Sequence, residues 1–325
     1  MKNWTWLTTI TLITIILVAG AYYLEVFPTT KKEKLTVSTT TSLYDTGLLN
    51  VIEDTFEAKY PIDLQIISRG TGLAIKLAQD GDADMMLVHA PSKELPFLTQ
   101  GYGVCRKIIA YNFFAIVGPE TDPAEIQGLT TLEALTKIVE AGRKRQAMWI
   151  SRGDESGTHA KEKELWRAAN FTWEELRSET NWYVEARKGM GGTLILASER
   201  SAYTLTDMGT YLSHSTADLI ALKVFISQEK ELLNVYSAIA VNQTRHPHTN
   251  FNGAINFIKF LVSDEGQQLI GDYGKNEYGQ PLFYPAVKLL QESNDPLANL
   301  IREYALFNGT ECPAEYRYGH SELYD

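Results

Sequence analysis

Four segments of the chain set hydroxyl side chains beside glycine where a strand pattern gives way to a helix pattern. They are Thr39-Thr40-Thr41-Ser42, Arg69-Gly70-Thr71-Gly72, Ser151-Arg152-Gly153-Asp154-Glu155-Ser156-Gly157-Thr158-His159 and Gly189-Met190-Gly191-Gly192-Thr193. At a helix start the backbone N–H groups lack intrahelical partners and the dipole end is positive, so such a turn presents N–H and O–H donors to an anion. In any single turn Ser and Thr are equally plain N-caps. Several like turns at neighbouring strand ends would converge on one cleft, and an anion site then accounts for the repetition better than capping alone. The candidate donors are Thr41 and Ser42, Thr71, and Ser156 and Thr158, with Gly191 and Thr193 of the fourth turn as secondary candidates. Arg152 leaves a strand end beside the third turn, where a planar fork of N–H groups suits a tetraoxyanion, and Arg69 is a rim candidate. Asp154 and Glu155 would repel a dianion. Either they point outward and orient Arg152, or one accepts a proton from a protonated ligand such as hydrogen phosphate.

Other chemistries are less well supplied. Ser156 and His159 lie too close in sequence for a nucleophile and its base, and Gly153-Asp154-Glu155-Ser156-Gly157 is not the G-x-S-x-G elbow of a hydrolase. Ser227 and Lys230 match S-x-x-K without the companion motifs. His246-Pro247-His248 has no neighbouring thiol or carboxylate to complete a metal site. His89 is expected to be structural, its ring edge satisfied by backbone. Cys105 and Cys312 are the only cysteines, an even number that permits one disulfide in an oxidising compartment or two buried thiols. No metal, cofactor or catalytic group is expected.

The elements that would position these turns alternate. Leu35–Ser38, Ile62–Ser68 and Ala83–His89 read as strands; Leu48, Leu49, Ile52 and Phe56, and then Leu73 to Ala78, recur at helical spacing. This βαβαβ order implies an open, mostly parallel α/β sheet, with ligands at the carboxyl ends of its strands. A strand Lys107–Val117 leads through Gly118–Pro123 into a second α/β unit, whose strands Ala147–Ile150 and Tyr203–Thr206 repeat the logic. Leu233–Val241 returns to the first unit. The expected division is residues 35–118 plus 233–325 for the first lobe and 119–232 for the second, with the ligand cleft between the two.

The chain has 325 residues, 30 Lys+Arg against 40 Asp+Glu, with 44% hydrophobic and 22% charged residues. This is ordinary globular composition for about two domains. Residues 1–34 read as a signal peptide or N-terminal membrane anchor: Trp4 to Leu24 carries no charge, Ala19-Gly20-Ala21 offers a cleavage site, and no lipobox cysteine follows. The protein is therefore expected outside the cytoplasm, periplasmic or secreted, with a membrane contact only if the leader stays. The excess of acid excludes a nucleic-acid partner, which would need basic patches. It disfavours a small anion only at the level of encounter, because a site feels its own few neighbours.

Taken in order and spacing, these motifs resemble the tungstate-binding proteins of ABC importers, a branch of the type II periplasmic binding proteins. The resemblance runs from Thr39-Thr40-Thr41-Ser42 with Thr46-Gly47-Leu48-Leu49, through Gly70-Thr71-Gly72, Gly81-Asp82-Ala83-Asp84 and Leu87-Val88-His89-Ala90, to Ile150 through His159. It continues in Trp182-Tyr183, Gly189-Met190-Gly191 with Thr193-Leu194, and Tyr203-Thr204-Leu205. It implies a two-lobe clamp that captures tungstate, with molybdate the nearest competitor, and delivers it as a monomer to a permease and ATPase without transforming it. By position the family's hydroxyl turn falls on Thr40, Thr41 and Ser42, its arginine on Arg152, and its second turn on Ser156, Gly157 and Thr158. Arg69 and Arg187-Lys188 depart from the family's more neutral pattern. The readings set beside it are a membrane-tethered oxyanion sensor and a receptor for phosphate or sulfate.

Overall fold

The computed structural model describes residues 32–292 and 294–324. The first 31 residues of the expected leader lie outside them, and the first strand already starts at Glu33. Among the described residues no helix is long and apolar enough to cross a membrane.

Ten strands, β1 (Glu33–Thr40), β2 (Ile62–Arg69), β3 (Met85–Val88), β4 (Gly103–Gly118), β5 (Trp149–Ser151), β6 (Tyr183–Glu185), β7 (Thr204–Asp207), β8 (Lys223–Ser227), β9 (Leu233–Val241) and β10 (Tyr284–Pro285), alternate with helices. In the first lobe the strand order is β10-β4-β9-β3-β1-β2. β1 pairs in parallel with β2 and β3, as the βαβαβ pattern requires. β9 enters antiparallel between β3 and β4, and β10 is also antiparallel, so the sheet is mixed. An apolar run such as Leu233–Val241 announces a buried strand but not its direction.

Both faces of this sheet are covered, and the alternation of side chains shows it. Met85, Leu87, Ala238 and Ala240 pack with Leu48, Ile52, Phe56 and Phe257, while Met86, Val88, Ile239 and Val241 pack with Ile75, Ala78, Phe97 and Leu98. The second lobe is built on the parallel pair β5–β6, on Tyr203 bridging Trp149 in parallel, and on β7 and β8, which pair antiparallel with the far end of β4. The 16-residue strand β4 therefore belongs to both lobes, its first part bonded to β9 and its last residues, Phe114–Gly118, to β7 and β8. Cys105 and Cys312 are buried and unbonded; the Cys105 thiol donates to the Arg317 carbonyl at 3.1 Å, and burial pushes its pKa up to about 12.

Candidate functional site

The ends of β1, β2, β3 and β5 bring the hydroxyl turns together. β1 stops at Thr40, and a one-turn helix Thr41–Tyr44 follows. Two hydroxyls on β1 are structural: Ser38 donates to the Ala74 carbonyl at 2.9 Å and Thr39 to that of Leu87 at 3.1 Å. Thr40, Thr41 and Ser42 are left, with the Thr40 and Ser42 oxygens 3.3 Å apart. After β2 the helix Thr71–Asp80 begins behind Gly70, which has no side chain to cap it. The Thr71 hydroxyl is buried and has no hydrogen-bond partner. A buried orphan of this kind costs about 1–3 kcal/mol, a penalty that a bound acceptor would remove.

From the second lobe, β5 delivers Arg152, whose side chain is only 2% exposed. Its Nε donates to Asp154 Oδ2 at 2.8 Å, Nη1 to Thr158 Oγ1 at 3.4 Å and Nη2 to Thr41 Oγ1, across the lobes, at 3.2 Å. A hydroxyl that accepts from guanidinium keeps its own proton free to donate, so Thr41 and Thr158 are polarised donors aimed away from Arg152. Ser156 caps the helix Gly157–Ala168, accepting from the His159 N–H at 3.3 Å, and it too retains its hydroxyl proton. Capping and anion donation are compatible roles for one oxygen.

The two carboxylates of this turn take different places. Asp154 orients Arg152 and also accepts from the Ser156 N–H at 3.1 Å, bracing the turn. Glu155 turns outward, 72% exposed, and pairs with Lys163 at 2.9 Å. Two further carboxylates near Arg152 have no signal in the sequence. Asp207 is buried and caps the helix Met208–Thr216, and burial raises its pKa against the lowering effect of Thr210 and Arg152. Asp45 is raised by burial and by Asp207.

Gly157 of the second lobe packs tightly against His89 and Thr71 of the first. A Cβ there would meet His89 Cε1 at 2.6 Å, His89 Nε2 at 2.9 Å and Thr71 Oγ1 at 3.0 Å. Any side chain would wedge the lobes apart. Beyond this contact lies an open groove of about 1110 Å³ with His89, Lys93, Gly157, Lys161 and Lys163 in its walls.

The expectation for His89 is corrected. Its ring bonds side chains instead of backbone, with Nδ1 2.8 Å from Asn234 Oδ1 and Nε2 3.2 Å from Ser42 Oγ. It is therefore part of the cluster. The secondary candidates make other contacts: Arg69, beside Thr40 in the β1–β2 register, is exposed and donates to the Ser68 carbonyl at 2.8 Å, Thr193 donates to the Gly189 carbonyl at 3.1 Å, and Gly191 packs on His214. Arg187 is exposed and pairs with Glu185 at 2.8 Å. His246 and His248 are each 2.9 Å from a backbone carbonyl, of Gln79 and Gly81. Among the described residues no cluster of His, Cys, Asp or Glu is placed to hold a metal ion.

Glu162, on the helix Gly157–Ala168, sits behind the site. Its buried carboxylate accepts from Trp149 Nε1 (2.9 Å), Trp166 Nε1 (3.2 Å), Tyr183 OH (2.6 Å), Ser151 Oγ (2.9 Å) and the Arg152 N–H (3.3 Å). Burial and this carboxylate push the Tyr183 phenol far above its ordinary pKa. Together with the pairing of β5 to β6, this side chain braces the carboxyl end of β5 and with it Arg152.

Two α/β lobes sharing a strand and closing over buried hydroxyl, N–H and guanidinium donors define a solute-binding protein of the periplasmic class. A family model described as a PBP superfamily domain matches residues 28–265. Among curated proteins, the tungstate-binding protein TupA of Peptoclostridium acidaminophilum is 41% identical over 264 residues, covering 80% of this chain and 88% of that one. Among solved structures, TupA of Desulfovibrio alaskensis superposes with a TM-score of 0.68 at 38% identity, covering 78% of this chain and 98% of that one. The tungstate ABC transporter structure from Geobacter sulfurreducens gives 0.65 at 43%, covering 74% and 99%. The chain belongs to the PBP superfamily and, within it, to the family of these tungstate-binding proteins.

Proposed function

We infer that the protein is an extracytoplasmic receptor that captures a tetrahedral oxyanion, tungstate with molybdate next, between its lobes and hands it to an ABC permease and its ATPase. Thr40, Thr41, Ser42, Thr71, Arg152, Ser156, Gly157 and Thr158 hold the anion, and the ligand leaves unchanged. The observation that carries this reading is the Thr71 hydroxyl, buried without a partner among donors that both lobes contribute. The family membership supports the metal of the oxyanion, since tungstate and molybdate offer the same donors the same tetrahedral dianion.

Calorimetric titration with tungstate, molybdate, sulfate and phosphate tests the proposal. Tungstate is expected to bind most tightly, and a hundredfold excess over its dissociation constant should stabilise the fold by about 2.7 kcal/mol. Absence of submillimolar binding by all four would refute it. Gly157→Ala gives an independent check on closure. Overpacking against His89 and Thr71 costs about 1–3 kcal/mol, so affinity should fall roughly tenfold or more while the unfolding midpoint moves little.

A further inference from the structure

The polar groups behind Ser42 form a buried chain whose proton positions follow from one fixed end. The Leu282 carbonyl can only accept, so the group 3.3 Å from it is the Asn112 amide nitrogen. That leaves Asn112 Oδ1 facing Asn234, whose nitrogen donates to it at 2.9 Å and to the Tyr236 hydroxyl at 2.8 Å. Asn234 Oδ1 then faces His89 Nδ1 at 2.8 Å, which must carry the ring proton. On the neutral ring His89 Nε2 is then a bare lone pair 3.2 Å from Ser42 Oγ, and it accepts a hydrogen bond from the Ser42 hydroxyl. In this state Ser42 offers the ligand an acceptor, unlike Thr41, Ser156 and Thr158.

We propose that His89 couples oxyanion capture to the uptake of one proton, received either on His89 itself or on the bound anion. The inference rests on the receptor reading above. If the ligand is a bare dianion, protonation of His89 Nε2 reverses the last bond, so that Nε2–H donates to Ser42 and Ser42 donates to the anion. If the ligand already carries a proton, that proton is donated to Ser42 and the ring stays neutral. Both routes bind one ligand with one added proton. A dianion fully deprotonated, on a neutral ring, would leave either Nε2 or a ligand oxygen facing a lone pair.

The surroundings of the ring set the sign. Ser42, Asn234 and Tyr236, Phe114 and Gly157 pack on it; Arg152 bears on it across the cleft, and Lys93, Lys161 and Lys163 line the groove that it also borders. Tyr236 is the titratable neighbour, its phenol pushed well above the ordinary value by burial. Burial, with Arg152 across the cleft and against the support of Asn234, brings the His89 pKa down to about 4. A bound dianion raises it, so the complex holds more protons than the free protein. Affinity therefore increases as pH falls through the pKa of the complex, and it levels off near that of the free protein.

The test is calorimetric titration of the full-length protein with molybdate at pH 5.5, 6.5 and 7.5, in pairs of buffers with different heats of ionisation. Wild type is expected to take up a fraction of a proton that grows toward one per molybdate as pH falls, with tighter binding. His89→Gln places an amide N–H at the Nε2 position, which should abolish the uptake and flatten the pH profile. Ser42→Ala, which adds no polar atom and is the smaller disturbance, should abolish the uptake as well. Binding by wild type with no proton uptake at any of the three values, or uptake unaltered in both variants, overturns the proposal and leaves the receptor reading intact. Failure of wild type to bind molybdate, tungstate, sulfate or phosphate overturns the receptor reading instead.

Discussion

Replacing Arg152 by alanine is expected to reduce oxyanion affinity by two to four orders of magnitude. The guanidinium is 2% exposed, so its charge is largely unscreened by water in the closed cleft. It also holds the oxygens of Thr41 and Thr158, from opposite lobes, with one nitrogen each. Charge-assisted hydrogen bonds contribute about 1.5–3 kcal/mol apiece, and loss of two accounts for about 3–6 kcal/mol. Asp154 would remain beside the ligand without its cation, which adds to the loss. Arg152→Lys keeps the charge but cannot fork between two hydroxyls, so it should fall between alanine and wild type. Arg69→Ala is the control: its side chain is exposed and bonded to the neighbouring Ser68 carbonyl, and affinity should change less than threefold. Equal losses on titration of the two alanine variants would remove Arg152 from the site.

The second large effect is one of stability. Glu162→Ala should cost about 3–5 kcal/mol on denaturant unfolding, because it strands the buried donors of Trp149, Trp166, Tyr183 and Ser151 at once. Affinity should fall with it, since the same carboxylate holds the Arg152 N–H at the end of β5. Glu162→Gln keeps the shape but turns an N–H₂ group toward donors, so it should recover only part of the loss. A cost below about 1 kcal/mol for the alanine variant would show that these donors find other partners.

Much of this site was legible in the sequence because it is built from local signals. A strand of alternating apolar residues, a Ser/Thr/Gly turn and a helical run place Thr41, Thr71 and Ser156 at strand ends without any knowledge of the fold. What separates Arg152 from Arg69 is only partly local. Each leaves a strand just before a glycine, but β5 faces the first lobe and has Asp154 to steer its arginine inward, while Arg69 is turned to solvent. His89 enters the cluster through the pairing of β3 with β9 inside the first lobe, which sets it between Ser42 and Asn234, and Asp207 enters at the end of β7 beside Arg152 in the second. Glu162 did leave a trace: Glu162, Leu165, Trp166 and Ala169 fall at i, i+3, i+4 and i+7, which puts a carboxylate on the buried face of its helix. The direction of β9 left none, because a strand buried on both faces reads alike either way up.

Strand β4 has a consequence for how the chain is made. Its sixteen residues are buried throughout, and every strand it bonds to, β7, β8, β9 and β10, lies later in the sequence. A growing chain therefore exposes a long apolar segment with open backbone edges well before its partners exist. At ordinary rates of synthesis the wait from residue 118 to Leu233 is roughly ten seconds. An exposed edge of that length is the kind of segment on which nascent chains aggregate. The strand that joins the two lobes is thus also the stretch left longest without its partners, until the residues of the second lobe and of β9 have been made.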